Sequence, residues 1–178
     1  MKVIDSFISD EEAQIIGDYI VANEDRVKAM GPDLYQGTSN DSLTGRWQLY
    51  NWLSNETVGS ILIPKLTTLF PNLWIRMWAN IFRKGEGIGK HVHDTEKDQF
   101  TGKPRQSGNL FLRGPEDTAT HYITKGALKN KVGTLVTFDS HVPHWVEPNS
   151  SETARISMAF DTVEYCPDKR TFIPLRDA

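Results

Sequence analysis

A single cysteine, Cys166, leaves the chain without an internal disulfide, which fits a reducing compartment. No apolar run approaches the ~20 residues that a membrane-crossing helix needs. Neither sign of charge dominates: 20 Lys and Arg stand against 23 Asp and Glu, a formal net charge of −3. That balance argues against a protein whose main task is to grip a nucleic-acid backbone or an anionic membrane surface. Internal repeats, low-complexity tracts and long linkers are also missing. The first residues, Met1-Lys2-Val3-Ile4-Asp5, show no basic and apolar leader, so a soluble cytoplasmic protein is the expectation. The 178 residues suffice for one domain with a substantial core.

Helical spacing comes first along the chain. Ser9 and Glu12 have the capping-box spacing, and Ala13, Ile16, Tyr19 and Ile20 follow on one face. A second helix is expected from near Ser54, carrying Val58, Ile61, Leu62, Leu66 and Leu69, with Pro64 expected to kink or shorten it. Residues 30–45 read as a long polar loop, either a lid or a plain connection. From residue 73 the period changes to two: Leu73, Ile75, Met77, Ala79 and Ile81 make one apolar face of a strand. Further strands are expected at 89–93, 107–113, 119–124, 133–138, 143–147 and 153–161, separated by Gly, Pro, Asn and Ser turns. Helices followed by many short strands imply an α+β chain, mainly β, built on a sandwich or barrel.

All five histidines fall between positions 91 and 144. His91 and His93 are two residues apart and, on a strand, would point the same way. Imidazole suits iron, zinc, copper and nickel, so the pair alone does not choose the metal. If 143–147 and 153–161 form a hairpin, His144 lies across from about residue 156, with Arg155 beside it. Arg155, Ser157 and Ala159 would share one side of the returning strand. A guanidinium and a hydroxyl beside a metal can hold a carboxylate. The plain alternative is an Arg155 facing solvent or paired with Glu147 or Glu152.

From about Trp78 to Asp161 these motifs resemble, in order and spacing, the iron(II)- and 2-oxoglutarate-dependent oxygenase superfamily. They are the stretch from Trp78 to Gly85, His91-Val92-His93, the segments 107–112 and 133–138, and His144 followed by Arg155-Ile156-Ser157. The beginning, Val3-Ile4-Asp5-Ser6-Phe7-Ile8-Ser9, is similar to the short strand and helix that precede the core in the prolyl-hydroxylase-like branch. The resemblance implies a double-stranded β-helix, or jelly roll, over about 73–165, with N-terminal helical support over about 1–72. It further implies that His91 and His144 bind Fe(II), and that Arg155 and Ser157 bind the distal carboxylate of 2-oxoglutarate. Hydroxylation of a peptide, amino acid or other small molecule with O2, releasing succinate and CO2, is the implied activity. A cupin-like metal enzyme that does not use 2-oxoglutarate, and a non-catalytic jelly-roll module, are the rival readings. Asn80, Phe82, Asn109, Phe111, His121 and His141 are further candidates for lining the pocket, and the loops at 30–45 and 94–106 for shaping its entrance.

The sequence departs from the superfamily at one point. The usual facial triad has His-x-Asp/Glu and a distal His, whereas here the second position is His93 and the acid Asp94 follows one residue late. Three readings follow: a three-histidine site, a bulge that turns Asp94 inward, or a retained fold that has lost turnover. Strand period favours His93. Separate His93→Ala and Asp94→Ala variants, assayed for bound iron, should lose it at His93; release by Asp94→Ala alone would assign the acid instead.

Overall fold

The computed structural model describes residues 1–30, 50–93, 106–165 and 171–176. Asp94, Cys166 and most of the loops expected at 30–45 and 94–106 lie outside them. Helix α1 (Asp10–Lys28) begins at the capping box: Glu12 N–H donates to Ser9 Oγ at 3.1 Å, and Ser9 N–H to the Glu12 carboxylate at 2.8 Å. Its Ala13, Ile16 and Ile20 are buried. A short 3-10 helix (Trp52–Ser54) precedes α2 (Glu56–Leu69). Pro64 lies inside α2 and does not shorten it. Pro64 itself is exposed, while Val58, Leu62 and Leu66 keep the opposite face buried on both sides of it. Burial of that face outweighs the one lost hydrogen bond.

Among the described residues, ten strands follow the expected order with two additions. They are β1 (Lys2–Ile4), β2 (Trp74–Phe82), β3 (Ile88–His91), β4 (Gln106–Arg113), β5 (Ala119–Tyr122), β6 (Gly126–Lys129), β7 (Leu135–Asp139), β8 (His144–Val146), β9 (Arg155–Val163) and β10 (Ile173–Pro174). The unforeseen strands are β6, paired with β5 after a turn entering at Gly126, and the two-residue β10 on β2. A six-stranded sheet has the order β1-β7-β4-β9-β2-β10, and a four-stranded sheet the order β3-β8-β5-β6, all pairs antiparallel. The two sheets face each other as a jelly roll, and the fold is α+β and mainly β.

The hairpin expected between 143–147 and 153–161 does not form. β8 pairs with β3 and β5 in the small sheet, whereas β9 pairs with β2 and β4 in the large one. Asn149 fixes the crossing between them: its side-chain amide donates to the carbonyls of Phe82 (3.0 Å) and Thr153 (2.9 Å). Its backbone N–H donates to Glu86 O, and its own carbonyl accepts from Gly85 N–H. Arg155 therefore approaches His144 from the opposite sheet, across the interior.

Alternation in the large sheet sorts apolar from polar residues. Ile75, Met77, Ala79 and Ile81 of β2, Leu110 and Leu112 of β4, and Ile156, Met158 and Phe160 of β9 form one core with the helices. The other face of these strands turns toward the small sheet, where Tyr122, Val136, Phe138 and Val142 make a smaller apolar cluster beside a cavity. Gly108 lets three strands pack at this point, because an added Cβ would collide with the Phe160 ring and lie 2.7 Å from the Val136 carbonyl oxygen. Gly108→Ala is expected to destabilise by about 1–3 kcal/mol through overpacking. In a thermal melt that is a drop of several degrees, at roughly 2–4 °C per kcal/mol for this size; an unchanged midpoint would show that the strands can move apart freely.

Candidate active site

Strand pairing brings the first two imidazoles together, since His91 is the register partner of His144 across β3 and β8. A bulge between Ile88 and His91 sets the aim of the His91 side chain. His93 arrives differently from the expected i, i+2 strand geometry. β3 ends at His91, and the bend beyond it is held by His93 N–H donating to the Ser140 carbonyl at 2.9 Å. The ring centroids lie 4.2 Å apart for His91 and His144, 4.9 Å for His93 and His144, and 5.3 Å for His91 and His93. One ring nitrogen from each residue lies within 4.8 Å of the other two.

Hydrogen bonds decide which nitrogen is available. His91 Nδ1 lies 2.9 Å from Gly89 O, His144 Nδ1 3.0 Å from Val142 O, and His93 Nδ1 2.6 Å from Asp161 Oδ1. Carbonyls and ionised carboxylates only accept, so each Nδ1 carries a proton, and Nε2 is the ring nitrogen left available to a metal. Three like-oriented imidazoles with backed Nδ1–H groups fit a divalent transition metal, whose histidine ligands are held in this manner. Burial, followed by the like charge of neighbouring histidines, lowers His91 to about 4 and His144 to about 3. Both are therefore neutral at neutral pH.

Behind His93 lies a buried polar group that sequence reading did not single out. Asp161, 3% exposed, accepts from His93 and from Ser107 Oγ (2.7 Å) on Oδ1, and from Arg76 Nη2 (3.2 Å) on Oδ2. Burial alone would raise its carboxyl, but His93, Arg76 and Ser107 hold it down to about 2. Asp161 shares the face of Arg155, Ser157 and Ala159 by strict alternation on β9.

Across the cavity is a cationic pocket. Arg155, 1% exposed, donates from Nη2 to Thr120 Oγ1 at 2.9 Å and to Asn130 Oδ1 at 3.4 Å, with Phe82 and Phe111 flanking its guanidinium at 5.2 and 5.8 Å. Its Nε and Nη1, the Tyr122 hydroxyl and the Ser157 hydroxyl are buried with no hydrogen-bond partner among the described residues. Thr120 stands near the Tyr122 phenol without bonding geometry, and accepts from Arg155 instead. Burial draws Arg155 down to about 10, still a cation at neutral pH. A buried cation with two idle N–H groups beside two idle hydroxyls is costly unless an anion completes it.

Of the residues expected to line the pocket, Asn80, Phe82 and Asn109 share one cavity with the three histidines, Arg155 and Ser157. Phe111 borders Arg155 from the side away from that cavity. His121 does not project inward: Thr120 and Tyr122 do, and the alternation of β5 sends His121 outward to stack on Trp145 at 5.0 Å. His141 is exposed on the turn before β8 and does not line the cavity. Asp94 lies outside the described residues.

The neutral histidines make metal-free stability depend on pH. Unfolded histidine titrates near 6.5, above the folded values of about 4 and about 3. The contribution is thus complete above 6.5 and is lost as pH falls toward the folded values, because the unfolded chain takes up protons first. The lowered carboxylates Glu12, Glu24 and Asp161 act in a more acidic range. The apo protein's melting temperature should fall between pH 6.5 and 5, and less steeply in His144→Ala; parallel profiles for the two proteins would refute this.

A family model for 2OG-Fe(II) oxygenases matches residues 95–161. No curated protein matches the chain in sequence. Among solved structures, a prolyl-4-hydroxylase from Pseudomonas putida is similar at 16% identity and a TM-score of 0.62, covering 92% of each chain. A viral collagen prolyl hydroxylase from Paramecium bursaria Chlorella virus-1, solved with 2OG, is 14% identical with a TM-score of 0.58, covering 90% of this chain and 94% of that one. A prolyl hydroxylase from Trichoplax adhaerens, solved with a hypoxia-inducible-factor peptide fragment, is 12% identical with a TM-score of 0.62, covering 92% and 83%. The description of the matched family names 2-oxoglutarate and Fe(II), both expected from the sequence. Residues 95–161 thus match a family model of 2OG-Fe(II) oxygenases, and the fold of the chain is similar to that of solved prolyl hydroxylases.

Proposed function

We propose that this chain, as one oxygenase domain spanning residues 1–178, hydroxylates a peptide, amino acid or other small molecule. His91, His93 and His144 would hold Fe(II) through Nε2, and Arg155, Ser157 and Tyr122 would hold the distal carboxylate of 2-oxoglutarate. The observation that carries the reading is the set of buried unpartnered donors around Arg155, in one cavity with three backed imidazoles. When bound, Fe(II), 2-oxoglutarate and O2 supply an oxidising chemistry that couples decarboxylation to succinate and CO2 with attack on a C–H bond.

The chain's own residues do the placing. Arg155 Nη1–H would donate to the carboxylate, a charge-assisted bond whose direction is set by the fixed plane of the guanidinium. The hydroxyls of Ser157 and Tyr122 would donate to the same group, while Phe82 and Phe111 keep water from competing. Trp78, 5.4 Å from the His93 ring, and Phe138, 4.7 Å from His144, wall the metal side with apolar surface. A cupin-like enzyme without a dicarboxylate would leave the Arg155 donors unanswered, so the 2-oxoglutarate reading is preferred.

Titration of the Mn(II)-loaded protein with 2-oxoglutarate by calorimetry tests this. Arg155→Ala should weaken binding by at least ~30-fold, since a hydrogen bond to a charged group is worth about 2 kcal/mol. The wild type should also release succinate under Fe(II) and O2 once a substrate is supplied. Metal binding with no affinity for 2-oxoglutarate would move the assignment to the cupin-like alternative.

A further inference from the structure

The second metal position of this site holds a neutral imidazole where the superfamily usually has an acid, yet a carboxylate stands one hydrogen bond away. We infer that Asp161 is the positioning residue that restores the missing negative charge, acting on the metal through His93 instead of binding it directly. This rests on the three-histidine metal site proposed above.

The three imidazoles are not equivalent. His91 and His144 lean on the backbone carbonyls of Gly89 and Val142, which are neutral, and only His93 leans on a carboxylate. Its bond to Asp161 is also the shortest of the three, 2.6 Å against 2.9 and 3.0 Å. A carboxylate accepting Nδ1–H fixes the ring orientation and makes Nε2 a stronger donor to the metal. Charge is thereby delivered at the ligand position where the sequence lacks it.

Asp161 is built to stay behind His93. Oδ2 is taken by Arg76, whose guanidinium is wedged against Trp78 and Phe172 at 5.4 and 5.0 Å. Oδ1 also accepts from Ser107, whose single hydroxyl proton is thus used, so Ser140 Oγ at 2.9 Å must donate to Ser107. Ser140 in turn accepts the His93 backbone N–H on its carbonyl. The loop after β7 and the end of β9 therefore grip His93 by backbone and ring together. Arg76 is the countercharge, but it lies farther from Asp161 than His93 does, 3.2 Å against 2.6 Å.

The test is metal affinity, measured on chelator-stripped protein by calorimetry with Co(II), alongside the Co(II) ligand-field spectrum. Asp161→Asn keeps the shape and removes the charge; it should bind Co(II) ~10–100-fold more weakly, the usual loss for an outer partner of a ligating histidine, and its spectrum should shift. Arg76→Gln leaves Asp161 in place and should bind as tightly as the wild type or more tightly. If Asp161→Asn leaves Arg76 unpaired and fails to fold, the double variant Asp161→Asn/Arg76→Gln carries no orphan charge. It should bind ~10–100-fold more weakly than Arg76→Gln alone. Equal affinity in that comparison overturns the assignment, as does an Arg76→Gln variant weakened as much as Asp161→Asn, which would mark the network as packing only. A wild type that binds no Co(II), or His91→Ala and His144→Ala variants that bind as the wild type does, would sink the metal site itself and this inference with it.

Discussion

β9 runs through the large sheet with all nine residues buried, and the site depends on how its two faces are divided. Ile156, Met158 and Phe160 pack with the helices, while Arg155, Ser157, Ala159 and Asp161 face the small sheet. A strand whose faces are both covered must satisfy every polar group it carries. On the helix side the polar residue is Thr162, whose hydroxyl donates to the Gln106 carbonyl at 3.0 Å. On the other side, Asp161 is fully engaged at one end, and Arg155 at the other keeps donors in reserve.

The two ends of that face do opposite electrostatic work about six residues apart on one strand. Near the histidines, Asp161 is an anion surrounded by donors. Farther along, Arg155 is a cation between two phenyl rings, with hydroxyls nearby and no acid paired to it among the described residues. A divalent cation beside the first and a dicarboxylate beside the second would each meet the opposite charge. The helices contribute indirectly: by covering the apolar face they free the inner face from supplying the main core.

Much of this was legible from residue spacing. The capping box at Ser9 and Glu12, the apolar face of β2 and the alternation of β9 follow from local periodicity, and the trio His91, His93 and His144 was picked out by residue type. His121 was misread because β5 alternates polar and aromatic residues on both faces, so period two gave no phase for inside and outside. Asp161 and Tyr122 were passed over for a related reason. One looked like the end of a strand and the other like core: the partners of Asp161 lie 85, 68 and 54 positions away, and the Tyr122 hydroxyl has no partner among the described residues.

The closeness of Arg155 to the histidines was expected for a wrong reason. A short turn between two strands reads locally as a hairpin, but Asn149 carries the chain across from one sheet to the other. Sequence by itself determined which strand faces are apolar and which residue types a site could draw on, because these are set by residue identity and by a repeat of two or about 3.6. Only the tertiary structure decided that His144 and Arg155 meet across two sheets, and that His93 is backed by an acid. Those relations depend on strand order and sheet packing, which no local repeat encodes.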